Sequence, residues 1–191
     1  MRCLMCESLS LKHICKTCQI EYLTPSLYKR HLADGTLVLS FYKYNDIKDL
    51  LHTKHTDIGF YIYNILAKNS LKKFAENFTL EEKIVSIAVD DNPNEKYSHT
   101  AILSKILHSS RIKSLHNKLI AKNTVSYSGK SKAYRLSNPR NFQLKKFKQK
   151  SVIVVDDIIT TGSTLQEAVN ILKAAGKEVL FCLTLCDVSQ Q

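Results

Sequence analysis

SVIVVDDIITTGSTLQEAVNILKAAG, residues 151–176, is the stretch on which the reading of this chain turns. Val152 to Val155 form an apolar run without polar alternation, which predicts a strand covered on both faces, as in a parallel sheet between helices. Asp156 and Asp157 follow at its carboxyl end, the edge where open α/β sheets collect ligands. Thr160, Thr161, Gly162, Ser163 and Thr164 then form a tight loop of hydroxyls around one glycine. Leu165, Ala168, Val169 and Leu172 recur at helical spacing, predicting a helix over 164–175 that Gly176 stops. The loop therefore runs into a helix N-terminus, where free N–H groups and the helix dipole favour a phosphate. Neighbouring carboxylates would repel that phosphate unless they hold another part of the same ligand, such as the hydroxyls of a ribose. This stretch is not a P-loop, because it contains no Gly-Lys-Ser/Thr, and the dinucleotide fingerprint Gly-x-Gly-x-x-Gly is missing.

Working outward, IVSIAV (84–89) is a second short apolar run, ending at Asp90-Asp91, and residues 97–107 continue with helical spacing. VLFCLTLCDV (179–188) contains a third strand-like run, carrying Cys182 and Cys186 on one face as core residues. Strand and helix thus alternate over 83–188, interrupted by a Lys-rich, less regular section at 111–150, which predicts an α/β fold with a parallel sheet. Residues 23–82 mix short strand-like and helix-like patterns, among them YKYNDIKDLL (42–51) and a helix expected from Gly59 to Phe78. The expected division is a small head at 1–22, a segment at 23–82 packed on the main domain, and the main domain at 83–191.

The head contains Cys3-x-x-Cys6 and, eight residues later, Cys15-x-x-Cys18. Two such pairs are the spacing of a zinc knuckle or ribbon, each pair chelating one face of a tetrahedral ion. Four thiolates leave no vacant ligand position, so the expected Zn²⁺ is structural and stabilises a head too small to own a core. His13 is an alternative ligand.

The net charge is +11, and its distribution matters more than its sum. Between Glu95 and Asp156 there is no acidic residue, while that stretch carries fourteen of the 28 Lys and Arg. Such a segment favours an anionic partner. Lys130, Lys132, Arg135, Arg140, Lys145, Lys146 and Lys148 are the candidate phosphate contacts, with Tyr97, Tyr127, Tyr134, Phe142 and Phe147 as stacking faces for a single strand. No apolar run reaches the roughly eighteen residues of a membrane span, and no signal-peptide stretch opens the chain, so a cytoplasmic protein is expected.

VIVVDDIITTGST is similar to the phosphoribosyl pyrophosphate (PRPP) motif of type I phosphoribosyltransferases, in which apolar residues, two acids, two apolar residues and Thr-Thr-Gly-x-Thr form the ribose-5-phosphate site. The resemblance implies that Asp156 and Asp157 face the ribose hydroxyls, that Thr160, Thr161, Gly162, Ser163 and Thr164 wrap the 5-phosphate, and that Mg²⁺ accompanies PRPP. A four-cysteine head joined to such a domain resembles the ComF family of competence proteins. FYKYNDIKDLLHTKH, with Lys54 in the place of that family's lysine, and SYSGKSKAYRLSNPRNF, with Arg135, Asn138 and Phe142, carry the resemblance through the middle of the chain. It implies a phosphoribosyltransferase-like domain and a cytoplasmic role in natural transformation. Single-stranded DNA, a PRPP-type ligand and other DNA-uptake components would be the partners. The loop after IVSIAV departs from the family pattern, for Asp90, Asp91 and Glu95 would repel a pyrophosphate, by about 1 kcal/mol per close pair in water and more where water is excluded. That favours binding over turnover, and an active phosphoribosyltransferase acting on a base or amine is the second reading.

Overall fold

The computed structural model describes residues 1–89, 97–123 and 132–190, apart from the side chains of residues 132, 135 and 136. Its centre is a six-stranded sheet in the order β1-β2-β8-β7-β3-β4. The strands are β1 (Tyr28–His31), β2 (Leu37–Lys43), β3 (Ile84–Ala88), β4 (Ile112–Leu115), β7 (Ser151–Ile159) and β8 (Glu178–Asp187). Every neighbouring pair is parallel except β1 with β2. A separate antiparallel ribbon joins β5 (Leu119–Ala121) to β6 (Phe142–Leu144). The α/β class with a mainly parallel sheet is as the sequence predicts.

The central strand β7 shows why. Val152 and Val154 enter one core with Leu165, Ala168, Val169 and Leu172 of α7 (Ser163–Ala174). Ile153 and Val155 enter the other, with α2 (Tyr44–Leu51), α3 (Asp57–Ala67) and α5 (His99–Ile106). A strand covered on both faces has no solvent side, so its apolar run is continuous. The strand does not stop at Val155. It continues through both aspartates to Ile159, because β8 keeps pairing beside it, Asp156 opposite Thr184 and Ile159 opposite Asp187. Cys182 and Cys186 do not share a core as expected: the first packs with α7 and the second with the opposite cluster.

The helix expected over 59–78 is α3, a π-helical turn at Lys68–Lys72 and α4 (Lys73–Asn77) in succession. In the turn Ser70 donates its hydroxyl to the Leu66 carbonyl at 2.7 Å, a back-bond of the kind that loosens the regular ladder. The head is not a detached knob. Cys3, Ile14, Cys18 and Leu23 are buried in the same core as α3, and the ring of His13 packs 4.6 Å from that of Tyr61.

Residues 28–43 form a hairpin. Asp34-Gly35 makes its turn, with Gly35 at φ 82° and the Asp34 carboxylate accepting the Thr36 N–H at 3.1 Å. Two of the six strands thus come from the segment preceding the alternating region. No helix among the described residues is long and apolar enough to cross a membrane.

A short 3₁₀ turn at His52–His55 presents Lys54 to the sheet edge, and Gly59 allows it to sit there. A Cβ at Gly59 would collide with the Thr53 carbonyl and with the Tyr97 hydroxyl. That hydroxyl donates to the Lys54 carbonyl at 2.6 Å, so turn, helix and the start of α5 meet at one point. Gly59→Ala should therefore cost about 1–3 kcal/mol by overpacking, read as a lowered urea midpoint.

Candidate functional site

Asp156 and Asp157 sit near the carboxyl edge of the sheet at 8% and 6% exposure. Adjacent strand residues point to opposite faces, and the two carboxylates accordingly have different company. Asp157 Oδ2 accepts from Lys54 Nζ at 3.3 Å and from the Tyr63 hydroxyl at 3.2 Å, and His99 Nε2 lies 3.4 Å away. These groups come from the 3₁₀ turn, α3 and α5. Asp156 Oδ1 accepts the Asp157 backbone N–H at 2.8 Å and feels the charge of Arg140.

Burial opposes charge on both carboxyls. At Asp157 the cations His99 and Lys54 outweigh it and hold the carboxyl well below the usual carboxylate range. At Asp156 burial, reinforced by the charge of Asp157, pushes the carboxyl up. One negative charge is thus kept where cations meet it. Burial first, and then the Asp157 charge, also keeps the Tyr63 phenol protonated as a donor.

Beyond the aspartates, Thr160, Thr161, Ser163 and Thr164 are half-buried and Gly162 is buried at φ 80°. A Cβ at Gly162 would stand 3.0 Å from Leu32 Cδ2, so glycine meets both the backbone and the space requirement. Thr161 Oγ1 and Ser163 Oγ share a hydrogen bond at 2.9 Å across the turn, and α7 begins directly afterwards. Loop, helix N-terminus and acids therefore lie together at one edge. An open groove of about 640 Å³, lined by residues including Phe78, Leu80 and Arg111, lies instead at the amino ends of β3 and β4 and has no part in this site.

The four head sulfurs lie within 4.8 Å of one another. Cys6 and Cys15 are 3.7 Å apart, close to the edge of about 3.8 Å that a tetrahedron of 2.3 Å metal–sulfur bonds requires. Cys15 caps α1 (Lys16–Tyr22) and its sulfur accepts the Cys18 N–H, while Cys3 Sγ accepts the Cys15 N–H at 3.3 Å. Burial raises the Cys3 thiol, but the backbone hydrogen bonds from Cys15, Cys6 and Met5 bring it down to about 6. This donor set fits a metal ion. His13 is absent from the cluster.

Among the residues expected to meet nucleic acid, Lys145, Lys146 and Lys148 are exposed just beyond the β5–β6 ribbon. Arg140 is half-buried, and its charge acts on Asp156. Lys130 and Tyr127 lie outside the described residues, as do the side chains of Lys132 and Arg135 and the whole acidic loop at 90–96. The aromatics correct the stacking expectation. Phe142 is buried in the α7 core, Phe147 carries the Lys177 ammonium 4.2 Å above its ring, and Tyr97 is tied to the Lys54 turn, so that among the described rings of this set Tyr134 is the exposed one. Burial of Phe142 follows from its place in the ribbon, whose inward residues close over α7.

Tyr63 and His99 were not singled out in the sequence as partners of Asp157, and neither was the Arg30–Asp187 pair, 3.1 Å apart, beside the Thr160 loop. Local spacing carries no signal for contacts so far apart in the chain. The Asp34-Gly35 turn is the one local hint, marking the hairpin that brings Arg30 in.

The family model of the phosphoribosyl transferase domain matches residues 101–191, slightly under half of the chain. Among solved structures, a hypoxanthine phosphoribosyltransferase from Staphylococcus aureus is 17% identical, aligning over 65% of this chain and 62% of its own, with a TM-score of 0.40. An adenine phosphoribosyltransferase is 14% identical over 89% of this chain and 88% of its own, with a TM-score of 0.44. The orotate phosphoribosyltransferase of Aeropyrum pernix is 17% identical over 90% and 80%, with a TM-score of 0.40. No curated protein sequence matches the chain.

The opposite states of the paired acids make a stability prediction. Asp157 is held below its unfolded value, so the stability it adds is complete above pH about 4 and is lost only as the pH falls towards its lower native value. Asp156 is raised, so its ionisation costs stability as the pH climbs through its native value. At pH 7 Asp157→Asn should destabilise by about 2 kcal/mol, and Asp156→Asn should raise the urea midpoint. Changes of the same sign in both variants would contradict this division of charge.

Proposed function

We propose that this chain binds a ribose-5-phosphate ligand, PRPP above all, at the 156–164 edge and handles single-stranded DNA in the cytoplasm as part of natural transformation. The observation that carries the first half is the union of a two-acid strand end, a hydroxyl-rich loop and a helix N-terminus at one sheet edge. The match of residues 101–191 to a phosphoribosyl transferase domain supports it. The phosphate would sit against the loop and the α7 N–H groups, and Asp156 would face a ribose hydroxyl. Asp157 would orient Lys54 and His99 as well as meeting the sugar. Mg²⁺ would enter with PRPP, ligated largely by phosphate oxygens, and would neutralise the pyrophosphate.

The DNA half rests on the resemblance to competence proteins and on the acid-free basic segment. Its exposed cations, Lys145, Lys146 and Lys148, lie in a segment clamped to the main fold. Glu167 of α7 accepts the Arg140 N–H at 3.1 Å, and Lys177 donates to the Phe147 and Gln149 carbonyls at 2.8 and 3.0 Å. Other DNA-uptake components are the further partners of this reading. The same family match favours a second reading, a transferase moving the ribose phosphate to a base or amine. PRPP consumption with candidate bases would distinguish it.

The head would hold structural Zn²⁺ on Cys3, Cys6, Cys15 and Cys18. Because Cys3 and Cys18 belong to the main core, Cys15→Ser should release the metal and lower the thermal midpoint of the whole chain. About one zinc per chain is expected by atomic absorption, and less than about half with reduced thiols would refute the site.

DNA binding measured with and without PRPP–Mg²⁺ tests the main reading. Affinity for single strands should fall with salt at a log–log slope of roughly −0.7 per phosphate contacted. Changing Lys145, Lys146 and Lys148 together to Gln should weaken all sequences alike and make that slope shallower. An affinity indifferent to salt would remove the DNA half, and calorimetry showing no PRPP binding would remove the other.

A further inference from the structure

The loop at 160–163 is walled on its outer side by the β1–β2 hairpin. Alternate hairpin residues meet it in sequence. Arg30 Nη1 donates to the Thr160 carbonyl at 2.7 Å and to Asp187 Oδ1 at 3.1 Å. Leu32 closes over Gly162, and its Cδ2 would stand 3.0 Å from a Cβ there. The Asp34 N–H reaches Gln166 Oε1 at 3.3 Å, and the Asp34 carboxylate takes Lys173 Nζ at 2.7 Å. The hairpin thus follows the loop into α7 rung by rung. Asp187, at 1% exposure, ends β8 and also accepts the Ser189 N–H at 2.8 Å, which makes it a fixed anchor for the guanidinium.

We propose that Arg30 is a positioning residue for the phosphate loop, and that the ligand site is incomplete without the β1–β2 hairpin. The reason lies in peptide geometry. All described peptide bonds are trans, and in a trans peptide the C=O and the following N–H point in opposite directions. By holding the Thr160 carbonyl towards the hairpin, Arg30 turns the Thr161 N–H away from it, to the inner side of the loop. One Nη1 atom serves two acceptors, of which Asp187 fixes the guanidinium and Thr160 receives its orientation. Arginine suits this better than lysine, whose ammonium is a flexible point donor. The matched domain begins at residue 101, so the wall comes from outside it.

This inference rests on the phosphate reading of the loop, and the experiment keeps the two apart. Ribose 5-phosphate is titrated calorimetrically into the full chain and into Arg30→Met, Arg30→Lys and Lys173→Met. No binding by the unaltered chain would overturn the phosphate reading itself. Given binding, Arg30→Met should weaken it about tenfold or more, the loss of a charged hydrogen bond, and Arg30→Lys should recover part of the affinity. Lys173→Met loosens the same hairpin at its far end. It should lower the thermal midpoint while leaving affinity within about twofold, which separates loop orientation from hairpin stability. Undiminished binding in Arg30→Met, or an equal loss in Lys173→Met, would overturn the role of Arg30. If Arg30→Met does not fold, Arg30→Gln replaces it under the same criterion. Amide exchange at 161–164 should then rise in that variant with β7 unchanged, and unchanged exchange there would count against the proposal.

Discussion

A carboxylate buried inside a six-stranded sheet must be met by charge and hydrogen bonds, and Asp157 is the point at which this chain meets that demand. Its partners arrive from three separate elements, a turn carrying Lys54, a helix carrying Tyr63 and a second helix beginning at His99. Each depends on others in turn. Gly59 admits the Lys54 turn, and Tyr97 ties that turn to the start of α5. The Lys54 turn, α3 and the start of α5 thus converge on a single acid.

The neighbouring acid illustrates the opposite solution. Asp156 is pushed towards its neutral form by burial and by Asp157, against the charge of Arg140. Two identical side chains one residue apart thus stand in different surroundings, one anchored by Lys54 and Tyr63 and the other disfavoured as an anion by burial. A ribose, whose hydroxyls both donate and accept, can use such a pair without the full repulsion that two bare carboxylates would exert on a nearby phosphate.

The other face is organised by α7. Its N-terminus carries the loop, Glu167 and the neighbouring Lys177 hold the ribbon segment, and Lys173 holds the hairpin. The basic ribbon and the candidate phosphate site are therefore attached to one rigid element. The exposed Lys145, Lys146 and Lys148 and the 160–164 loop are thereby tied to the same helix.

The motif at 152–164, the paired cysteines and the parallel-sheet class were legible in the sequence because each is local. Apolar runs, spacing and turn chemistry need only near neighbours to be read. The length of β7 was not legible, since two aspartates end a strand by propensity and only the adjacent β8 ladder carries the backbone past them. Nor was the separation of Asp156 from Asp157, which look alike until Lys54, more than a hundred residues away, meets one of them. Phe142 reads as an exposed aromatic in a Lys-rich stretch, yet the ribbon folds it into the α7 core. Arg30 lies on a short strand with half-exposed and exposed residues alternating, and nothing local joins it to Thr160. The sequence determined which chemical groups this protein can bring to a ligand. The tertiary structure decided which of them are charged, buried or held in place, because those properties depend on partners distant along the chain that only the fold brings within hydrogen-bonding reach.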